Sequence, residues 1–363
     1  MGDDASALAS RIVNELASPD LRVAFVYADW RLDHAILARE TYRGLRAPVV
    51  GGTTLGAIGP GAVPGQVGAV ALGLYGDWLR VGIGVAPDLP KAALARSRDA
   101  VNSAAAALGL RSDTLDGSRH VGVSILDGTC GHEEAFCIGS AAAAPQVRVV
   151  GACAASAVGR AQIWVNGEVT RDAGVVVLLE SELPFQVLSS AHLVPTDTKT
   201  VVTSSSGRVI HELDGRPALP RVRELVASIG DTLDEPEPSH TFARFVDGHP
   251  YIRSMMRVDG EHIQLASTVE TGHVLRLMRP GDLIGTTTRD LATARERVGG
   301  AFGALLAFSC HGRHREAGLR GLADELAGVY ESHGAVGFQS LGEQSGMLLV
   351  NHTLTGLAIG APR

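Results

Sequence analysis

Three pairs of polar residues recur along this 363-residue sequence with the same internal spacing. In each pair an aspartate or a serine precedes a histidine by five positions: Asp29/His34, Asp127/His132 and Ser309/His314. Each pair spans the loop between a predicted buried strand and the helix after it. Ligands bind preferentially beyond the carboxyl ends of such strands. The same residue types also cap helices, so capping and ligand binding both stay open as interpretations.

Three of the four cysteines fall at the same strand ends. Cys130 and Cys310 lie in predicted strand-to-helix loops, and Cys153 follows another predicted strand. A thiol beside a helix N-terminus tends to have a lowered pKa. Cys130 or Cys153 together with His132 is therefore a candidate nucleophilic pair for an enzyme. The alternative is that these cysteines are small buried residues of the core.

Metal and haem binding are two further interpretations of these side chains. The loops contain ligand types that suit a metal, at Cys130, His132, Cys310, His311 and His314, but without zinc-finger spacing. Residues 240–256 mix histidines with aromatic residues and two methionines, a composition that suits a b-type haem. The candidate haem ligands are His240, His249 and His314. The sequence has no CxxCH motif, which excludes covalent haem attachment.

An internal repeat positions these residues. APVVGGTTLGAIG (47–59), VRVVGACAASAVG (147–159) and GAVGFQSLGEQS (334–345) each run from an apolar strand through Val-Gly into small residues. Their glycines suggest close backbone approach, since no Gly-Lys-Ser/Thr or GxGxxG follows to indicate phosphate binding. Aligning the copies makes Thr53, Cys153 and Gln339 equivalent. We expect the three strand ends to converge on one ligand site with these candidate residues: Asp29, Thr53, Thr54, Asp127, Gly128, Cys130, Cys153, Cys310 and Gln339.

The apolar pattern around each Val-Gly motif predicts an α–β–α–β–β–β unit. In the first unit, helices are predicted at 5–17 and 33–45 and strands at 21–28, 67–75 and 78–85. Gly76-Asp77 and Asn166-Gly167 predict hairpins, the second joining strands 161–165 and 174–179. In the third unit a strand at 302–308, a loop at 309–314 and one helix to about residue 330 are expected. The fold class is α+β, with mixed sheets covered by helices.

Composition narrows the function classes. Hydrophobic residues make up 45% of the chain, enough for a packed core, and the net charge of −7 without a basic run argues against nucleic acid as a partner. No apolar run approaches the roughly 20 residues of a membrane span, and the acidic, amphipathic start is unlike a secretory signal. Four cysteines without CxxC spacing indicate reduced thiols in the cytoplasm.

Several motifs resemble FIST proteins. PVVGGTTLGAIGPGAVPGQVGAVALGL and WLRVGIG resemble the N-terminal half of that family. GRVIHELDGRPAL, VLRLMRPGDL, LLAFSCHGR and LVNHTLTGLAIG resemble the C-terminal half, in the same order. The resemblance runs from about residue 20 to residue 360. It implies a FIST N-terminal-like domain at 1–211, holding two repeat units, and a FIST C-terminal-like domain at 212–363, holding an inserted region and the third unit.

The resemblance implies an intracellular sensory protein that binds a small, amino-acid-like ligand. The two FIST-like halves use the whole chain, so signalling is expected to pass through a separate partner such as a histidine kinase. One branch of the family consists of haem-containing nitric-oxide sensors, which keeps haem as a candidate cofactor. Three hypotheses therefore stand: a small-ligand sensor, a haem-based gas sensor, and an enzyme that uses Cys130, Cys153 and His132.

Overall fold

The computed structural model describes residues 2–63, 65–235, 238–246 and 248–362, and the side chains of Asp3, Val246 and His249 lie outside the description. It confirms an α+β architecture in which helices cover mixed sheets. Among its helices, none combines the length and the apolar character needed to cross a bilayer.

The first two repeat units are contiguous. The elements of unit 1 are α1 (Gly2–Leu16), β1 (Leu21–Asp29), α2 (His34–Leu45), β2 (Val49–Thr54), β3 (Ala57–Ile58), β4 (Ala69–Tyr75) and β5 (Leu79–Ala86). The elements of unit 2 are α3 (Leu89–Ala107), β6 (His120–Asp127), α4 (Glu133–Ala143), β7 (Arg148–Ala154), β8 (Ile163–Val165), β9 (Glu168–Thr170), β10 (Gly174–Ser181) and β11 (Phe185–Ser190), with a short 3-10 turn at Ser112–Thr114.

An inserted region separates these units from unit 3. It contains β12 (Val194–Ser206), β13 (Val209–Leu213), β14 (Arg216–Pro217), α5 (Ala218–Ser228), β15 (Thr241–Val246), β16 (His249–Arg253), β17 (Met255–Asp259), β18 (His262–Leu265) and β19 (Val274–Arg279). The elements of unit 3 are α6 (Leu283–Arg297), β20 (Phe302–Cys310), α7 (His311–Leu319), α8 (Ala323–Ser332), β21 (Val336–Ser340), β22 (Glu343–Ser345), β23 (Leu348–Val350) and β24 (Leu354–Gly360).

Each unit builds its sheet around one parallel strand pair. The pairs are β1–β2 in sheet 1, β6–β7 in sheet 2 and β20–β21 in sheet 3. A later strand of the same unit, β4, β10 or β24, lies antiparallel on the other side of the first strand. The inserted region forms a separate eight-stranded sheet 4 in the order β16-β15-β19-β12-β13-β18-β17, with β14 paired to β13.

The units are interlocked because each one contributes a short strand to a neighbouring sheet. After its Val-Gly strand, unit 1 sends β3 to pair with β21, unit 2 sends β8 to pair with β2, and unit 3 sends β22 to pair with β7. Strands β5 and β11 are exchanged as well, onto β10 and β24. The loop after each Val-Gly strand therefore lies beside another unit's strand end.

Strand exchange makes the first hairpin prediction wrong. Strands β4 and β5 flank Gly76-Asp77, yet β4 pairs with β1 in sheet 1 and β5 pairs with β10 in sheet 2. Asn166-Gly167 does form a hairpin, with φ of 51° and 86° at the two residues. Its second strand is Glu168–Thr170 and not the predicted 174–179, which lies in β10 between β5 and β6.

Unit 3 also departs from expectation at its helices. The predicted loop at 309–314 is largely helical, because α7 begins at His311. The single helix expected up to residue 330 is two helices, interrupted near Gly321, whose φ of 69° is left-handed. Helix α7 follows β20 directly, and its Gly312 lies beside His352, in the loop between β23 and β24 of the same unit.

Sheets 1 to 3 enclose a central core built mainly from aliphatic side chains. Its few aromatic residues meet where sheets 1 and 3 face each other: the Tyr27 ring lies 4.5 Å from the Phe338 ring and 6.0 Å from the Phe308 ring. The outer faces of the three sheets are covered by α1 and α2, by α3 and α4, and by α6 to α8, respectively. Helix α5 packs on sheet 4.

The Val-Gly glycines allow close approach within each parallel pair. A Cβ added at Gly51, Gly151 or Gly337 would lie 1.7–2.1 Å from a carbonyl oxygen of the neighbouring first strand. None of the three has a positive φ. The repeated glycine is therefore a steric requirement of the strand pairing, as the sequence suggested.

Candidate functional site

The end of the β1–β2 pair opens into a cleft of about 910 Å³, here called the sheet 1 cleft. Its walls come from two units: the β1–α2 loop and β2 of unit 1, and residues 156–171 of unit 2, which β8 carries alongside β2. The volume falls within the roughly 300–1,000 Å³ typical of small-molecule sites. Its polar lining residues are Arg31, Asp33, His34, Thr53, Ser156, Arg160, Gln162 and Arg171.

Thr53 fastens the unit 2 loop to the end of β2. Its backbone N–H donates to the Gln162 carbonyl (2.9 Å), and its carbonyl accepts from the Ala155 N–H (2.8 Å). Its hydroxyl accepts from the Gln162 N–H at 3.0 Å. Thr53 is itself almost fully buried. It therefore acts as a positioning residue for the opposite wall of the cleft.

A hydrogen-bond chain runs from the end of β1 to Arg171. His34 Nε2–H donates to the Asp29 carbonyl (2.9 Å), so its Nδ1 accepts from the Gln162 amide nitrogen at 3.0 Å. The Gln162 amide oxygen then accepts from Arg171 Nη2 (2.6 Å) and Nε (3.1 Å). His34 also stacks on Trp164, with ring centroids 5.6 Å apart. The chain fixes one imidazole tautomer and the position of the Arg171 guanidinium.

Three arginines line the cleft, and two of them form ion pairs with aspartates. Asp29 is held by Arg31, whose Nε and Nη2 donate to its two oxygens at 2.7 and 2.8 Å. Arg160 forms an ion pair with Asp172. Arg171 is held by a neutral amide and forms no ion pair with any described residue. The cleft therefore presents one guanidinium that forms no ion pair with a carboxylate of the described residues.

Asp127, the last residue of β6, holds the unit 2 wall of this cleft in place through hydrogen bonds. Its Oδ1 accepts from the Thr129 N–H (2.8 Å) and hydroxyl (2.6 Å), and Thr129 Oγ1 accepts from the Ala161 N–H at 3.1 Å. Its Oδ2 accepts from the Asp172 N–H at 2.8 Å. Asp127 is fully buried. Through these bonds it fixes Ala161 and Asp172, which are the chain neighbours of the cleft residues Gln162 and Arg171.

The other strand-end candidates lie elsewhere. The Thr54 hydroxyl donates to the carbonyls of Gly56 (2.8 Å) and Gln339 (2.9 Å), which joins the ends of β2 and β21. Gln339 lines a separate cavity of about 370 Å³ beside α7, and Cys310 lines a cavity of about 120 Å³ against the inserted region. The strand ends are thus bonded to one another, but their side chains border different cavities.

Gly128, Cys130 and Cys153 pack at the second strand end. Gly128 donates its N–H to the Ala154 carbonyl (3.1 Å), and a Cβ there would meet Cys153. Burial and the Glu133 carboxylate raise the pKa of Cys130 to about 12. Burial likewise raises the pKa of Cys153. The expected lowering of the thiol pKa is wrong for both, because helix proximity is outweighed by desolvation.

Two of the three candidate haem ligands, His240 and His314, do not fit a haem. His240 Nε2 lies 3.2 Å from Asp231 Oδ2, and its Nδ1 is buried without a partner. His314 Nε2 is enclosed by protein atoms, and burial lowers the pKa of His314 to about 3. An iron could reach neither Nε2 without rearrangement. The side chain of His249 lies outside the described residues.

The five side chains considered for a metal are not assembled into one cluster of the described structure. The one group of close ligating side chains found there is His192, Glu316 and His352. Glu316 Oε2 accepts from His192 Nε2 (2.8 Å) and His352 Nε2 (2.9 Å). Arg313, fully buried, lies 3.3 Å from His192 Nδ1. The sequence missed this group because its members come from distant segments.

Glu343, the first residue of β22, is a second buried carboxyl of unit 3. It accepts from the Ser340 hydroxyl and the Thr353 hydroxyl, both at 2.5 Å. Burial raises the pKa of Glu343 to about 8, and the hydroxyl bonds only partly oppose this rise. The folded state therefore holds a proton on Glu343 at neutral pH that the unfolded chain releases above its ordinary pKa.

The protonated Glu343 predicts a specific pH dependence. The pKa of Glu343 is higher in the folded protein than its value near 4.5 in the unfolded chain. The stability that protonated Glu343 contributes is therefore fully present below pH 4.5 and is lost as pH rises towards 8. We expect Glu343→Gln to be more stable than the wild type at pH 8 by about 3 kcal/mol, with a smaller difference at pH 5. Urea unfolding at both pH values measures this. Equal differences at the two pH values would contradict the assignment.

Family models match nearly the whole chain. The FIST N domain model matches residues 20–216 and the FIST C domain model matches residues 218–346. The chain belongs to the FIST family. FIST domains are associated with sensory signal transduction and small-ligand binding. These associations agree with a fold that encloses a cleft of small-molecule size.

Two known proteins show limited similarity to this FIST protein. An uncharacterized protein of Methanocaldococcus jannaschii is 36% identical over 62 residues, which cover 17% of this chain and 12% of that protein's length. Among solved structures, cyanuric acid hydrolase from A. caulinodans aligns over 99% of this chain and 96% of its own, at 13% identity and a TM-score of 0.35. That similarity is too low to support an inference.

Proposed function

We propose that this FIST protein is a cytoplasmic sensor that binds a small, amino-acid-like metabolite in the sheet 1 cleft. The observation that carries the proposal is the Arg171 guanidinium, held in the cleft by Gln162 without an acidic partner. A guanidinium is the side chain best suited to bind a carboxylate with two parallel hydrogen bonds. A carboxylate-bearing ligand would supply the missing negative charge.

The rest of the cleft suits the other end of such a ligand. Asp33 caps α2 through its Oδ1, which accepts from the Ile36 N–H at 3.0 Å, and its Oδ2 makes no hydrogen bond to a described residue. An ammonium group could bind that oxygen. Trp30 adds an aromatic surface to the same wall. A zwitterionic metabolite therefore matches the charges of the cleft better than a dianion does.

The signal would pass to a separate protein such as a histidine kinase. FIST domains are associated with sensory signal transduction, and this association supports a protein partner that receives the signal. We place the boundary between the N-terminal-like and C-terminal-like domains at residues 211 and 212, close to where the two models meet. The cytoplasmic location is supported by the four cysteines, all of which are free thiols.

A thermal-shift screen with free amino acids and matched amines tests this function. A ligand that binds only the native state raises the melting temperature. We expect a carboxylate-bearing compound to stabilise the wild type, and Arg171→Gln to lose most of that shift. Arg98→Gln, which removes an exposed arginine of α3, is the matched control and should keep it.

Two results of the screen would count against the proposal. One is an equal shift in the wild type and in Arg171→Gln. The other is stabilisation by amines that lack a carboxylate, with none by the corresponding amino acids. Thr53→Trp is a second variant for the same site, because a bulky side chain there would displace the Gln162 segment and close the cleft.

A further inference from the structure

Two histidines face each other on sheet 4, which contributes no residue to the sheet 1 cleft. They are His211 on β13 and His262 on β18, which are antiparallel neighbours with Ile210 paired to Ile263. The Nδ1 atoms of the two imidazoles are 3.3 Å apart, and the rings are nearly perpendicular with centroids 4.7 Å apart. His262 is exposed and His211 is partly exposed.

The spacing of the two nitrogens suits a shared metal ion. With both nitrogens at about 2.1 Å from the ion, the nitrogen–metal–nitrogen angle would be roughly 100°, between the ideal octahedral and tetrahedral angles. A direct imidazole–imidazole hydrogen bond also explains 3.3 Å, with one Nδ1 carrying the proton and the other accepting it. When the donor ring carries its proton on Nε2 instead, both Nδ1 lone pairs are free to bind an ion.

The surroundings favour coordination through the Nδ1 atoms. The other nitrogen of His211, Nε2, lies 2.7 Å from the Ser206 hydroxyl. Such a partner on the second nitrogen fixes the ring and raises its basicity towards a metal. Asp259 lies directly opposite His262 in the β17–β18 pairing and is exposed. Its carboxylate adds negative charge beside the two imidazoles, and water can fill the remaining coordination positions.

We infer that His211 and His262 form a surface site for a divalent transition-metal ion such as Zn²⁺, Ni²⁺ or Cu²⁺. Imidazole nitrogens are preferred ligands for these ions, whereas Mg²⁺ and Ca²⁺ prefer oxygen. The site joins two strands of the inserted sheet, so the bound ion would stabilise that sheet. It is independent of the proposed carboxylate ligand.

The buried group of His192, Glu316 and His352 is not a competing metal site. Ligand atoms on one tetrahedral ion are about 3.3 Å apart, whereas Glu316 Oε2 lies 2.8 and 2.9 Å from the two Nε2 atoms. These are hydrogen-bond distances. The buried guanidinium of Arg313 beside His192 would also repel a cation.

Calorimetric titration of the full chain with Ni²⁺ tests the inference, with Cu²⁺ electron paramagnetic resonance to count nitrogen ligands. We expect one ion per chain, two imidazole nitrogens in the Cu²⁺ spectrum, and at least tenfold weaker Ni²⁺ binding in His211→Ala and in His262→Gln. His333→Ala, which alters a histidine at the end of α8, is the control and should bind normally. Because both nitrogens must be free of protons, binding should weaken as pH is lowered.

Unchanged Ni²⁺ affinity in His211→Ala and His262→Gln would overturn the inference, as would no measurable binding to the wild type at millimolar Ni²⁺. Both substitutions are at partly or fully exposed positions, and unfolding curves recorded without metal check that the variants are folded. A failure here would leave the thermal-shift test of the sheet 1 cleft unaffected, since that test contains no metal.

Discussion

Replacing Gly337 by alanine is expected to lower the free energy of unfolding by about 4 kcal/mol or more, enough to prevent normal accumulation of the protein. The added Cβ would lie 1.7 Å from the Ala307 carbonyl oxygen and 2.6 Å from its carbonyl carbon. Both are backbone atoms of β20, which pairs in register with β21 and is buried in the core. The contact can be relieved only by separating the two parallel strands.

The matched control is Gly328→Ala in helix α8. Apart from the two chain neighbours and the nearby backbone of α8, no atom lies within 4 Å of the Cβ position there, and the backbone is helical. Alanine in an exposed helix position is expected to stabilise the protein by about 0.5–1 kcal/mol. Chemical unfolding of the two variants measures the difference. A Gly337→Ala variant as stable as Gly328→Ala would contradict the close approach of β20 and β21.

The second large effect is expected at Glu316. This fully buried carboxylate accepts from His192 and His352, and its Oε1 accepts from Arg320 at 2.6 Å. Burial alone would raise the pKa of Glu316, but the hydrogen bonds from the two histidines outweigh burial and lower it. Glu316→Ala would leave the buried Nε2–H groups of His192 and His352 without their acceptor and would remove the ion-pair partner of Arg320. We expect a loss of about 3–5 kcal/mol in unfolding free energy.

Denaturant unfolding of Glu316→Ala, with Glu316→Gln as its partner variant, checks this prediction. Both histidines donate to the same oxygen of Glu316, and the amide keeps one oxygen that can accept from them, so Glu316→Gln should lose less than Glu316→Ala. Equal and small losses in both variants would show that the group contributes little to stability. Glu331→Ala, on the exposed face of α8, is a control that should change stability by less than about 0.5 kcal/mol.

His192 gives the same group a pH dependence. Burial, aided by the charge of Arg313, lowers the pKa of His192 to about 4. Between pH 6.5 and 4 the unfolded chain therefore binds a proton that the folded protein does not. Stability is lost as pH falls through this window, by roughly 3 kcal/mol. His314 acts in the same direction, since burial lowers its pKa as well.

Local periodicity was sufficient to predict several helices and strands of units 1 to 3, but not the individual strands of sheet 4. Strand β1 and helix α2 lie within a residue or two of their predicted ranges, and Asp33 caps α2 by accepting from the Ile36 N–H. The pairing of exchanged strands was not predictable in the same way. Gly76-Asp77 reads as a hairpin turn, but which sheet β5 joins depends on contacts with β10, about 100 residues away.

Only part of the site was predictable from the sequence, again because of strand exchange. Asp29, Thr53 and Asp127 were found by their position at strand ends, and all three help to build the sheet 1 cleft. Gln162 and Arg171 were missed, because only the exchange of β8 brings them to β2. Their places on either side of the Asn166-Gly167 hairpin were the available signal. The thiol pKa values failed because burial, which opposes the helix N-terminus, depends on tertiary packing.

The most direct test of the proposed function is isothermal titration of the best ligand from the thermal-shift screen into three proteins. They are the wild type, Arg171→Gln and Arg98→Gln. We predict one binding site per chain, with affinity reduced at least tenfold in Arg171→Gln and unchanged in Arg98→Gln. Equal affinity in all three proteins would show that Arg171 does not bind the ligand and would contradict the assignment of the sheet 1 cleft.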